Sequence, residues 1–300
     1  MNKLLKTLVA FSALSLLYLV LGITLPPNTP TIQTYHLSIT EYRVLVLLVC
    51  IPLIAVWFAT FYGYALLDEY VATIRKTPEG KAYAAIAKGL RYLAWGLPVI
   101  SIISTLLGGV VHSHTQFAND AFVVVHYLPL VVAMLAFWQI GTGSRALTDI
   151  HNVRPSGVAT RWLFGSFTCI GVLFTYLTIR TAESVPNPYH LPMWLILLTI
   201  IVPYLYAWFM GLYASYEILL YNKRSRGLLY RRALNNVATG IVISIVTSVI
   251  FQYTQSDTTR LRRISFSWVF FGIYLLLALY ASGFLLIGRG AKQLKKIEEV

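Results

Sequence analysis

Charged side chains are missing from six long stretches of this chain. None occurs in Val44–Leu67, Tyr92–Val111, Trp162–Ile179, Leu191–Tyr216, Ala233–Ser256 or Ile264–Ile287. In lipid every backbone polar group must be satisfied within its own segment, so apolar runs of about 20 residues read as transmembrane helices. Only 12% of the 300 residues are charged and the mean hydropathy is +0.68. A soluble domain carries about 25% charged residues.

The first run begins Met1-Asn2-Lys3-Leu4-Leu5-Lys6 and stays apolar to Leu25. It is long, and Gly22 to Pro27 offers no small-x-small cleavage site, so it reads as an uncleaved helix. With the run around His126, eight spans are expected: roughly 4–25, 43–67, 92–112, 121–143, 162–180, 192–217, 236–254 and 265–288. With the N-terminus inside, only Arg43, Arg180, Arg260, Arg262 and Arg263 of the 24 Lys and Arg residues fall outside. The positive-inside rule then sets both termini in the cytoplasm of a multi-pass plasma membrane protein, expected to be a bacterial inner membrane. The net charge of +13 is thereby a topology signal facing anionic lipid, with no nucleic-acid partner implied.

Landmarks of the first half return in the second. Tyr35-His36-Leu37 recurs as Tyr189-His190-Leu191. Pro52, Trp57-Phe58 and Tyr62 recur as Pro203, Trp208-Phe209 and Tyr213. Ile100-Ser101-Ile102-Ile103-Ser104-Thr105 is matched to Ile243-Ser244-Ile245-Val246-Thr247-Ser248, and Ile140-Gly141-Thr142-Gly143 to Ile287-Gly288-Arg289-Gly290. The expected fold is therefore all-α, with two parallel four-helix repeats, residues 1–150 and 151–300, joined near 148–161. An even number of spans gives both the same orientation, with a pseudo-two-fold axis along the membrane normal. The Gly-x-Gly pairs read as helix terminators ahead of a basic stop.

At the inner side, Thr77-Pro78-Glu79 is a helix start that continues through Lys81 to Leu93 into the third span. Asn222 to Asn235 reads as a basic helix on the lipid surface. Arg289 to Val300 reads as a short amphipathic tail.

The mirrored proline and tryptophan positions give the leading functional expectation. A proline inside a helix frees a carbonyl, and tryptophan ordinarily prefers the membrane interface. Pro52, Trp57, Tyr62, Pro203, Trp208 and Tyr213 are therefore candidate ligand-binding residues on two kinked helices, against the alternative of plain aromatic packing. His126 is the one ionisable candidate inside a span, where such groups are expensive. Its alternative role is bonding a carbonyl freed by Pro129. The implied function is a transporter or pore for a small, weakly charged or aromatic molecule.

Two other functions stay open. One is a sensor or assembly scaffold that binds a protein partner or a second copy through the basic loops. The other is an outer-face metal or haem protein using His36, His112, His114 and His190, whose repeated Tyr-His-Leu also suits an interfacial anchor. No cofactor and no enzymatic activity are expected: no nucleophile elbow, zinc spacing or paired intramembrane acid is present. Cys50 and Cys169 read as packing residues.

Overall fold

The computed structural model describes residues 3–24, 38–111, 116–152, 202–224, 227–256 and 266–298, together with Arg161, Gly165 and Cys169. Among the described residues there are seven long helices and no strand: α1 (Lys3–Thr24), α2 (Ile39–Thr73), α3 (Pro78–Val111), α4 (Gln116–Ile150), α5 (Val202–Arg224), α6 (Leu228–Ser256) and α7 (Phe266–Glu298). Three segments, Ile39–Thr73, Pro78–Ile103 and Phe271–Glu298, are long and apolar enough to cross a membrane. The span expected at 162–180 lies outside the described residues except for Gly165 and Cys169, which are helical.

Local chemistry explains where the helices begin. Ser38 caps α2: its side chain accepts from the Glu41 N–H, and Glu41 reaches back to the Ser38 N–H at 2.7 Å. Thr77 caps α3 by accepting from the Gly80 N–H at 3.0 Å, with Pro78 in the first turn where its missing N–H costs nothing. Pro52 and Pro98 lie inside continuous helices. Helices of 33 to 35 residues extend about 50 Å at 1.5 Å per residue, against a hydrocarbon core of about 30 Å. A helix of this length exceeds what a bilayer crossing needs, and Arg75, Lys81, Arg145, Arg231 and Lys295 lie toward one end of the bundle, here the basic end.

The helices pack as a closed ring. Helix α2 lies against α3, α3 against α4, α4 against α5, α5 against α6, α6 against α7, and α7 returns to α2. Helix α1 sits outside this ring on α2 and α3. Its Phe11 inserts between Phe58, Phe61 and Trp95, with ring centroids 5.7, 5.1 and 5.5 Å away. In a ring of this order α2 faces α5, α3 faces α6, and α4 faces α7.

Close backbone approach holds the ring at matching places. A Cβ on Gly89 of α3 would lie 2.4 Å from the Ala136 carbonyl oxygen of α4, with Ile140 beside it. A Cβ on Gly240 of α6 would lie 2.4 Å from the Gly283 oxygen of α7, with Ile287 beside it. Gly143 meets Ala82 and Ile86, and Gly290 meets Ala233 and Val237, in the same manner.

Three expectations are corrected by this packing. The Gly-x-Gly pairs terminate nothing: Gly141 and Gly143 lie inside α4, and Gly288 and Gly290 inside α7, where the missing side chain admits a neighbouring backbone. The described residues of 222–235 form no separate surface helix. Asn222 lies in the last turn of α5, which ends at Arg224, and Leu228 opens α6, which turns straight into the bundle because Ala233, Leu234, Val237 and Ala238 are buried. The tail is the last three turns of α7, fixed by buried Ala291 and Leu294. Gly89 and Gly240 make like contacts 151 positions apart, a separation different from the 143 between Ile100 and Ile243.

Candidate functional site at the basic end of the ring

Four tyrosines meet where the ring ends. Tyr70 closes α2, Tyr83 opens α3, Tyr221 closes α5 and Tyr230 opens α6. The hydroxyl of Tyr230 lies 3.4 Å from that of Tyr83 and 3.3 Å from that of Tyr221. Tyr70 and Tyr83 meet edge to face with centroids 5.2 Å apart, and Tyr221 and Tyr230 with centroids 6.3 Å apart. Helices α3 and α6 face each other and share no extensive interface among the described residues. Their Tyr83–Tyr230 contact therefore crosses the middle of the ring.

Tyr70 and Tyr83 are each 1% exposed. Burial, and then the neighbouring tyrosine oxygens, push the Tyr221 and Tyr230 hydroxyls well above the usual phenol range. The cluster is thus uncharged, a closed plug of phenols. Beside it His151, in the turn after α4, places Nε2 3.2 Å from Glu79 Oε1 and its ring 4.9 Å from Tyr221.

One turn deeper on α5 stands Glu217, 1% exposed. Neither carboxylate oxygen has a hydrogen-bond partner. The nearest cation is Arg145 of α4, whose Nη1 lies 3.7 Å from Glu217 Oε1. That guanidinium makes its hydrogen bonds elsewhere. Nη1 donates to the Tyr213 hydroxyl at 2.8 Å, and Nε donates to Asp149 at 3.1 and 3.2 Å. These partners hold Arg145 firmly protonated, the Tyr213 bond contributing most.

The residues expected to line a shared ligand site have separate neighbours. Trp57 is fully buried against Tyr18 of α1, with centroids 4.9 Å apart, and its Nε1 has no partner. Trp208 is half-buried and donates from Nε1 to the Ile245 carbonyl of α6 at 3.4 Å. Tyr62 is exposed beside Gly288 of α7, and Tyr213 serves Arg145. Pro52 is half-buried within α2, and Pro203 falls in the first turn of α5. His126 lies on α4 with its side chain outside what is described. His36, His112, His114 and His190 lie outside the described residues. Among the described residues no group of three or more His, Cys, Asp or Glu side chains could hold a metal ion.

Glu217 was not singled out by patterning because it follows the charge-free run Leu191–Tyr216 directly and so resembles a helix-end charge. Its i−4 and i+4 neighbours, Tyr213 and Tyr221, are the available signal: an acid inside an aromatic stripe on one helix face. Comparison with protein-family models, with curated proteins and with solved structures finds no match.

Proposed function

We propose that the chain is a multi-pass membrane transporter or pore for a small, weakly charged or aromatic molecule. Two four-span repeats thread the bilayer in the same sense, and the solute moves along the axis between them. The tyrosine plug closes the path at the basic end, which is cytoplasmic by its excess of Lys and Arg. The observation that carries this reading is the Tyr83–Tyr230 contact between facing helices of a closed ring. The paired glycine contacts support the duplication: Gly89 with Ala136 and Ile140 corresponds to Gly240 with Gly283 and Ile287, the glycines 151 positions apart and their partners 147. Trp57 and Trp208 then act by fixing α2 and α5 against their neighbours instead of touching the solute.

Purified protein in liposomes tests the reading. Stopped-flow swelling with glycerol and uptake of a panel of labelled aromatic and zwitterionic solutes are measured for the wild type and for Tyr83→Ala/Tyr230→Ala. Opening the plug is expected to raise flux at least about fivefold, a barrier change of about 1 kcal/mol. Flux equal to that of protein-free liposomes for both proteins ends the reading.

A second reading has its own observation. Arg75, Lys76, Lys81, Arg231 and Arg232 are all exposed on the basic end. This surface suits docking on anionic lipid or an acidic protein partner. Retention on anionic but not neutral vesicles, lost on Arg231→Gln/Arg232→Gln, is its signature.

A further inference from the structure

Glu217 is not explained by packing. Helix α2 carries Leu66 at the position matching Glu217 of α5: both lie four residues before a plug tyrosine, Tyr70 or Tyr221, and four after Tyr62 or Tyr213. Leu66 packs against the core as a half-buried residue. The fold therefore accepts an apolar side chain in this register. A carboxylate taken out of water without hydrogen bonds costs several kcal/mol, so an acid here is a liability unless something completes it.

What would complete it follows from charge and geometry. Arg145 carries one positive charge, and its Nε already donates to Asp149. Adding Glu217 leaves the trio one negative charge in excess. Both Glu217 oxygens are buried acceptors with no hydrogen-bond donor, and the preceding residue, Tyr216, also has a buried hydroxyl without a partner. Aromatic rings run along the same helix. Phe209 and Tyr213 stack at 6.0 Å, and Tyr221 follows Glu217 by one turn. A carboxylate lacking donors, set among aromatic faces, matches a monovalent cation that brings N–H groups and can sit over a ring.

We propose that Glu217 is the anchor of a binding site for a small organic ammonium, with Tyr213 and Tyr221 one turn to either side of it and Arg145 shared between it and Asp149. The site sits one turn below the tyrosine plug, so it rests on the transport reading for its biological role. Its existence as a binding site is independent of flux.

Equilibrium dialysis of the full chain in detergent with labelled methylammonium tests it. Saturable binding is expected, weakened at least tenfold in both Glu217→Gln and Glu217→Leu. The leucine variant reproduces what α2 holds in the matching position, and its size-exclusion profile and helical circular dichroism should equal the wild type's. An excess of neutral acetamide should not displace the probe, and potassium should displace it only weakly. Absence of saturable binding, equal binding by Glu217→Leu, or displacement by acetamide overturns the proposal. Displacement by equimolar potassium overturns the ammonium assignment in favour of a bare cation. Binding without flux would end the transport reading and leave this one standing.

Discussion

The seam between α4 and α5 and the seam between α7 and α2 are built alike and charged differently. At each, a glycine of the first-named helix meets its neighbour: Gly141 of α4 meets Met210, and Gly288 of α7 meets Tyr62 and Gly63. At the first seam Arg145 stands over buried Glu217. At the second the corresponding register holds Leu66, and the ion pair is Lys295 with Glu69, both partly exposed. Shape is thus common to the two seams, and the buried acid belongs to one. Packing of small residues can carry the fold without any charge, and the charge at the first seam is an addition to it.

The largest effect should come from what is common. Replacing Gly89 or Gly240 by Val drives a Cβ into the backbone oxygen of Ala136 or Gly283, which cannot swing aside as a flexible side chain would. Each substitution should cost about 3 kcal/mol or more, the upper range of overpacking. Thermal unfolding in detergent should show losses matching to within about 1 kcal/mol. A severe loss at Gly89 with none at Gly240 breaks the likeness of the halves.

How much of this could be read from the chain depends on the kind of signal. Exclusion of charge is a one-dimensional property, and among the described residues it located α2, α3, α5, α6 and α7. Thr77-Pro78-Glu79 marked the start of α3 because capping is local. Helix contact is not local. Gly143 and Gly290 look like breakers in sequence and become contact points only once Ile86 and Val237 lie opposite. The register of α3 and α6 was readable in Lys81-Ala82, Ile86-Ala87 and Gly89 against Arg232-Ala233, Val237-Ala238 and Gly240. The more obvious Ile-Ser resemblance near Ile100 obscured it. Glu217 escaped because burial beyond an apolar run depends on neighbouring helices extending together past their apolar runs, which no single helix reveals.

Arg145→Ala sharpens the contrast between seams. It strips Glu217 of the cation it pairs with, and the loss should be about 2 kcal/mol. The discount from a fully buried pair reflects the 53% exposure of the Arg145 side chain. Glu217→Leu should be neutral or stabilising, and the double substitution should recover most of the Arg145→Ala loss, measured as a double-mutant cycle in chemical unfolding. An additive double mutant would mean the two charges do not interact.

At the plug, Tyr230→Phe removes the hydroxyl shared between Tyr83 and Tyr221 and should cost about 1 kcal/mol. Tyr62→Phe, at an exposed tyrosine, should cost nothing measurable. The plug also sets a pH dependence. The folded protein holds the Tyr221 and Tyr230 protons more tightly than the unfolded chain does. Their contribution is fully present below the ordinary phenol value of about 10 and is lost as pH rises beyond it. Melting temperature should therefore fall on raising the pH above about 10, less steeply in Tyr230→Phe.

The smallest effect belongs to the second seam. Lys295 Nζ lies 3.2 Å from Glu69 Oε2, with side chains 33% and 44% exposed. Water already solvates both groups, and holding two long side chains in one geometry costs rotamer entropy, so such pairs contribute about 0.5 kcal/mol or less. Lys295→Ala should leave thermal unfolding nearly unchanged, and raising salt should erase what remains. The Arg145 variant should keep most of its deficit in the same salt, because Glu217 is shielded from the counterions that reach Glu69. If salt rescued both equally, Glu217 would be as wet as Glu69, and the two seams would not differ in the way their side chains indicate.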